Sequence, residues 1–152
     1  MEAFAASLEG LALAEWLRYS RWGYALLNAT HILGLALLVG AIITLDLRLI
    51  GFWRDTVLPD IYRAMSCTAA SGLVVAVITG VVLFSVRATE YIQLPLFFVK
   101  LGLIATAMGY SAFLHLRYDI ASLGKTLQRR VGLMSLCLWL GVLISGRMLA
   151  FV

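Results

Sequence analysis

The sequence predicts an all-α membrane protein, a four-transmembrane-helix bundle preceded by an N-terminal amphipathic interfacial helix. Three observations predict this fold. Of the 152 residues, 62% are hydrophobic and 13% are charged, whereas soluble domains carry about 25% charged residues. The mean hydropathy is +0.97. Four apolar stretches each approach the ~20 residues that a helix needs to cross a hydrocarbon core, in which backbone polar groups must be satisfied internally.

The first element is the N-terminal segment, residues 4–18, which differs from the apolar stretches. Leucines such as Leu8 and Leu17 mix with charged residues such as Glu9 and Arg18. This pattern is typical of a helix that lies in the membrane interface. Aromatic residues of the kind that form an interfacial belt follow at the entry to the first span: Trp16, Tyr19, Trp22 and Tyr24.

The remaining elements are four membrane-spanning helices within one domain, residues 1–152. Short links separate them, with Pro59 as the break in the first link and Pro95 in the first turn of the third span. The predicted spans are residues 22–44, 66–86, 94–115 and 131–151.

The distribution of Lys and Arg predicts the orientation of the chain. One side of the membrane receives Arg18, Arg21 and Arg87. The other side receives Arg48, Arg54, Arg63, Arg117, Lys125, Arg129 and Arg130. The positive-inside rule places the more basic side in the cytoplasm. We therefore expect a multi-pass protein of the bacterial inner membrane with both termini periplasmic, in contact with membrane lipid. Topology thus explains the net charge of +4 without a nucleic-acid partner.

Three ionisable residues fall within the predicted spans: His31, Lys100 and Arg147. A charge at the centre of the bilayer costs about 2.5–3.5 kcal/mol on insertion scales, so such residues usually face the bundle or a wet cavity. His31 shares a helical stripe with Tyr24 and Asn28, and we expect this stripe to face the other helices. His31 is then an axial ligand of haem iron or a hydrogen-bond partner of a quinone. The alternative is an interhelical hydrogen bond that holds the bundle together.

Lys100 and Arg147 are predicted to lie in the outer half of the bundle, near the level of His31. Together with Arg87 they form a cationic cluster that suits an anionic group, such as a haem propionate, an acidic lipid or another carboxylate. The alternative is that both side chains reach the outer headgroups by snorkelling. Glu90 is a further candidate partner for Arg147.

Other polar residues are predicted to be structural. His115 lies ~18 Å deeper than His31 at 1.5 Å per residue, so one chain cannot ligate a single haem with both. We expect His115 to cap its helix near the interface, and Asp46 and Arg48 to pair with Arg129, Arg130 or Asp119. Cys67 and Cys137 are predicted to be small buried hydrophobic residues. No His/Cys/Asp/Glu cluster has metal-ligand spacing.

Two sequence motifs carry a resemblance to known families. The motif Y-x3-N-x2-H-I-x-G over residues 24–34, followed by L-D-L-R-L-I-G over residues 45–51, resembles an uncharacterised bacterial family of four-helix integral membrane proteins. More distantly, a His on the first helix and a Lys on a later helix resemble the copper-resistance CopD-like and HemJ-like membrane proteins. The HemJ-like proteins are linked to haem biosynthesis and haem binding. This resemblance implies that His31 and Lys100 occupy the matching positions.

These observations predict a small membrane protein centred on His31 that binds haem b or interacts with quinone and transfers electrons. The second axial ligand is Lys100, no residue at all, or His31 of a second chain in a homodimer. Two alternatives stay open. One is a non-catalytic membrane anchor or subunit of a larger complex. The other is a small membrane protein that binds an anionic ligand or lipid.

Overall fold

The structure, a computed structural model, describes residues 2–53 and 58–151, and within them it contains helices and no strands. The all-α prediction is confirmed. Arg54, which contributes to the predicted orientation, lies outside the described residues. The helices are α1 (Glu2–Glu9), α2 (Ala12–Tyr19), α3 (Arg21–Ile50), α4 (Leu58–Val86), α5 (Ala88–Tyr91), α6 (Pro95–Arg117) and α7 (Lys125–Met148), with 3-10 turns at Ile120–Ser122 and Leu149–Phe151.

Four of these helices, α3, α4, α6 and α7, are long and apolar enough to cross a membrane. This confirms the predicted number of spans. Each of these helices runs antiparallel to the one before it, so their ends meet at two opposite ends of the bundle. We call the end that carries α1, α2 and α5 the upper end, and the end that carries residues 118–124 the lower end.

The first two spans extend further at the lower end than predicted. Helix α3 continues through Asp46 to Ile50, because the backbone hydrogen-bond ladder does not stop where charged residues begin. It ends at Gly51, whose φ of 122° suits glycine, and the amides of Gly51 and Phe52 both donate to the Leu47 carbonyl. Pro59 lies in the first turn of α4, where proline is tolerated, rather than breaking the link.

The N-terminal segment forms two short helices instead of the single predicted helix. The backbone is extended at Leu11, next to the exposed Gly10, and glycine has low helix propensity. The segment is anchored at the upper end of the bundle, where α4 stops and α5 starts. Arg18 donates to the last carbonyl of α4, at Val86 (3.0 Å). Its placement in a membrane interface stays a prediction.

The helices pack in the order α4, α3, α7, α6. Glycines allow the closest approaches: a Cβ at Gly72 of α4 would lie 2.5 Å from the Leu38 backbone nitrogen of α3. A Cβ at Gly132 of α7 would lie 2.9 Å from the carbonyl oxygen of Asp46, also on α3. Such close backbone contacts are typical of membrane helices. Helix α3 therefore lies at the centre of the packing.

Helices α4 and α6 do not pack closely along their backbones in the described part of the chain. Aromatic side chains connect them near both ends. At the upper end, the rings of Phe84 and Phe97 stack with centroids 5.2 Å apart. At the lower end, Tyr62 stacks on His115 with centroids 5.3 Å apart. Between these two contacts the helices leave a gap.

Candidate functional site

His31 is held against α4 by a hydrogen bond to Thr79. Its Nδ1 lies 2.9 Å from the Thr79 Oγ1. The Thr79 hydroxyl has one proton, which it donates to the Val75 carbonyl at 2.6 Å. Thr79 Oγ1 is thus left to accept, so the hydrogen-bond network assigns the proton of neutral His31 to Nδ1. The unprotonated Nε2 then carries the lone pair of the ring. The imidazole also makes a hydrogen bond with the backbone of Ala76.

Gly80 leaves space for the His31 ring on the same face of α4. A Cβ at position 80 would lie 3.2 Å from His31 Cε1, closer than ordinary van der Waals contact. Thr79 itself is buried, and His31 is half-buried. The two adjacent residues Thr79 and Gly80 thus fix the position of the imidazole.

The Lys100 side chain packs against α7 at another glycine, Gly146. A Cβ at Gly146 would lie 3.4 Å from Lys100 Cε and 3.5 Å from Nζ. Lys100 is half-buried, and its ammonium group is within electrostatic range of His31. All four long helices therefore contribute to one polar region in the upper half of the bundle. We call His31, Thr79, Gly80, Lys100 and Gly146 the upper polar centre.

The structure does not bring Tyr24 or Asn28 into the upper polar centre. Tyr24 is 39% exposed and Asn28 is exposed, so the face they share above His31 is only partly covered by the rest of the chain. Tyr24 lies near Tyr91 of α5; burial raises the pKa of Tyr91, and the proximity of Tyr24 raises it further.

Arg147 also lies apart from the upper polar centre. Its guanidinium group is exposed and sits 4.7 Å from the centroid of the Phe151 ring. Glu90 pairs with Arg87 at 3.3 Å, so the expected Glu90–Arg147 pair is wrong. The short sequence distance between residues 87 and 90 favours the local pair within one helical turn.

A second polar position, Asp46, lies on a cavity in the lower half of the bundle. The cavity has a volume of about 300 Å³ and lies between α3, α4, α6 and α7. Asp46 lines it and is 3% exposed. The carboxylate accepts a hydrogen bond from Ser135 of α7, while its Oδ2 atom has no hydrogen-bond partner within the described residues.

The expected ion pair between Asp46 and Arg129 or Arg130 is therefore wrong. Those arginines are exposed, whereas Asp46 is buried. The reason is the continuation of α3, which puts Asp46 on the same helical face as the buried Leu38 and Leu49. The sequence signal for this position is the spacing of four residues through Leu38, Ile42 and Asp46, which places the three side chains on one helical face.

His115 belongs to the rim of this lower cavity. Its Nδ1 donates to the Ser111 carbonyl (2.9 Å), and its Nε2 lies 3.3 Å from the Ser66 hydroxyl of α4. It has partners at both ring nitrogens. It occupies the last turn of α6, far below the level of His31, as the sequence indicates.

Both cysteines differ from their predicted environment. Cys67 and Cys137 are free and exposed, because the outward faces of membrane-spanning helices are as apolar as the inward ones.

Residues 2–53 and 58–151 contain no group of three or more His, Cys, Asp or Glu side chains that could hold a metal ion. A metal at the upper polar centre would thus need a ligand from a cofactor as well as His31.

In chemical terms, the upper polar centre presents one imidazole, a ligand type for metals, and one ammonium group, which attracts anions. Comparison with protein-family models, with curated proteins and with solved structures found no match.

Proposed function

We propose that this chain is a small membrane electron-transfer protein that binds haem b through His31. The observation that carries the proposal is the hydrogen bond from His31 Nδ1 to Thr79 Oγ1. Metal-ligating histidines almost always donate their other ring N–H to an oxygen, which fixes the tautomer and raises the basicity of the ligand. Thr79 supplies that oxygen, and Nε2 is left for the iron.

The same tautomer favours haem over quinone as the direct partner of His31. A quinone carbonyl accepts hydrogen bonds, and Nε2 in this tautomer is itself an acceptor. A quinone at this position needs another donor, and the Lys100 ammonium is the available one. Iron needs the lone pair that Nε2 already presents.

Two glycines of the upper polar centre make room for the side chains that this proposal assigns to the haem. Gly80 and Gly146 present no side chain at the two positions that His31 and Lys100 contact. The Lys100 cation suits a propionate, or supplies a second axial ligand when neutral. His31 of a second chain is the other candidate ligand, in a homodimer. Haem supplies one-electron chemistry when bound, and the resemblance to HemJ-like proteins points to the same two residues.

The basic side chains support a bacterial inner-membrane location with the upper end in the periplasm. Arg63, Arg117, Lys125, Arg129 and Arg130 all lie toward the lower end, which the positive-inside rule assigns to the cytoplasm. A haem at His31 then lies nearer the periplasmic surface. Electron exchange with a periplasmic partner follows from that position.

A second candidate is a membrane anchor or subunit in which His31 is structural. The observation that favours it is the same His31–Thr79 hydrogen bond, since such a bond links α3 and α4 without any cofactor. The two candidates differ in what Nε2 does. An anchor leaves it unused, and the protein is colourless.

Visible absorption of the purified protein tests the proposal. We would express the chain in cells supplied with a haem precursor, record oxidised and dithionite-reduced spectra in detergent, and measure haem by the pyridine haemochrome assay. We expect near-stoichiometric haem, lost in His31→Ala and retained in His115→Ala, the matched control. A colourless wild-type protein, or unchanged haem content in His31→Ala, would exclude His31 as the ligand.

Thr79 variants test the assigned tautomer. Thr79→Ser keeps the hydroxyl, and we expect it to keep the haem. Thr79→Val keeps the shape but removes the acceptor for Nδ1–H, and loss of such a partner typically costs 10–100-fold in metal affinity. Equal haem retention in the valine and serine variants would contradict the role assigned to the Thr79 oxygen.

A further inference from the structure

The lower cavity combines apolar walls with one unsatisfied polar atom. Leu38, Leu73 and Trp139 line its inner part, and Asp46 lies on its wall with the Oδ2 atom unpartnered among the described residues. Buried polar atoms almost always have a partner, so an orphaned one needs an explanation. A bound molecule that donates one hydrogen bond provides it.

The volume is that of a small ligand. About 300 Å³ is at the lower limit of the range for small-molecule pockets, roughly 300–1,000 Å³. It is large enough for several waters, but most of the wall is apolar and offers them no hydrogen-bond partner. An occupant that is mostly apolar and carries a single polar group matches the lining better.

The cavity communicates with the surroundings through the gap between α4 and α6. Ala70 on α4 and Met108 and Ala112 on α6 line the cavity and are also exposed on the outer surface of the bundle. In a membrane, this surface faces lipid. The occupant therefore enters sideways from the hydrocarbon region rather than from water.

The chemistry of the polar group follows from Asp46. No Lys or Arg lines the cavity among the described residues, and the His115 ring on its rim already has partners at both nitrogens. An anionic head such as a fatty-acid carboxylate would therefore meet another carboxylate without a compensating cation. An ammonium head has three donors, and one orphaned oxygen satisfies one of them. A hydroxyl group has one donor, which matches the single free acceptor.

We propose that the lower cavity binds an apolar molecule with one hydroxyl group, an alcohol or a phenol taken from the bilayer, whose O–H donates to Asp46 Oδ2. The proposal is independent of haem. It concerns the lower half of the bundle, whereas His31 lies in the upper half.

Quenching of Trp139 fluorescence by bromine tests this site, because heavy-atom quenching acts at short range. Trp16, Trp22 and Trp53 would be replaced by Phe, which leaves Trp139 as the one fluorophore of its type. The His31→Ala change would be included, so that haem in the upper half cannot quench. The probes are 8-bromo-1-octanol and 1-bromooctane, added to the protein in nanodiscs. We expect saturable quenching by the alcohol and only linear, partition-driven quenching by the alkane.

Two variants locate the site. Asp46→Leu should raise the half-saturating alcohol concentration by about tenfold, the scale of one lost hydrogen bond to a charged group. Ala112→Phe places a ring at the opening and should abolish saturable quenching. Ala105→Phe is the matched control, because Ala105 is exposed on the same helix but does not line the cavity.

Three results would overturn the proposal: saturable quenching by both probes alike, an unchanged alcohol titration in Asp46→Leu, or equal effects of Ala112→Phe and Ala105→Phe. If Asp46→Leu fails to fold, the two phenylalanine variants decide. A protein that binds no haem still gives the full test, so failure of one proposal is distinguishable from failure of the other.

Discussion

Replacement of Gly72 by Ala is expected to force α3 and α4 apart. The added methyl group would lie 2.5 Å from the Leu38 backbone nitrogen and 2.7 Å from the Gly34 carbonyl oxygen. Both are backbone atoms of a continuous helix, so neither can rotate away as a flexible side chain would. The helices must separate, or one must shift along the other.

The size of the effect follows from these distances. Ordinary contacts begin near 3.5 Å, so relief of the closest contact requires about 1 Å of separation, enough to forfeit a quarter to a half of the dispersion energy of neighbouring contacts. Overpacking of this kind typically costs about 1–3 kcal/mol. Alanine also has a higher helix propensity than glycine by about 1 kcal/mol, which partly conceals the steric cost in a single variant.

A comparison with Gly40→Ala separates the two effects. Gly40 lies in the interior of α3, and a Cβ there would meet no atom within 4 Å. The propensity gain is therefore shared by both variants, and the difference between them is the steric cost. We expect Gly72→Ala to be less stable than Gly40→Ala by about 1–3 kcal/mol, measured from helix content during SDS titration in mixed micelles. Equal stability, or a more stable Gly72→Ala, would refute the close approach of the two helices.

Two further predictions concern polar contacts at opposite ends of the bundle. Hydrogen bonds from the Thr89 hydroxyl and amide, together with the Arg18 charge, lower the pKa of Glu9, so its stabilising contribution should be present above the ordinary glutamate pKa and disappear as the pH falls through the lowered value. The stability difference between wild type and Glu9→Gln, followed against pH, should shrink on acidification; a constant difference would contradict the ionic contact. Ser135→Ala should destabilise the protein by about 1–3 kcal/mol, because it removes the hydrogen bond to buried Asp46. In the Asp46→Leu background the same change should be nearly neutral, and a double-mutant cycle in SDS titration measures the coupling.

The sequence predicts the number and type of spans because lipid imposes a strong constraint on length and apolarity. It is less informative about helix ends. Hydropathy falls at Asp46, but the helix continues until Gly51, where a positive φ is needed. The break at Gly10 and Leu11 was also missed, because the charge pattern of residues 4–18 continues across it.

The sequence predicts the two ionisable residues of the upper polar centre but not the residues that position them. His31 and Lys100 stand out as ionisable residues within apolar stretches, so composition alone identifies them. Thr79, by contrast, resembles many other hydroxyl residues on membrane helices, and its role depends on which face of α4 meets α3. The lower cavity depends on packing order, since it exists because α4 and α6 do not pack closely, and no local pattern in either helix reports that gap.

His31 and Asp46 both lie on helix α3. The contact of Gly72 with the middle of this helix should therefore influence both the upper polar centre and the lower cavity. His31 and Asp46 are fifteen residues apart on this helix, a rise of about 22 Å. Gly72 contacts α3 at Gly34 and Leu38, between those two positions. Separation of α3 from α4 at this point would lengthen the His31–Thr79 hydrogen bond above it and widen the cavity wall at Leu38 below it. A change at Gly72 should therefore affect haem retention and alcohol binding together, whereas changes at Thr79 or Asp46 should each affect one of them.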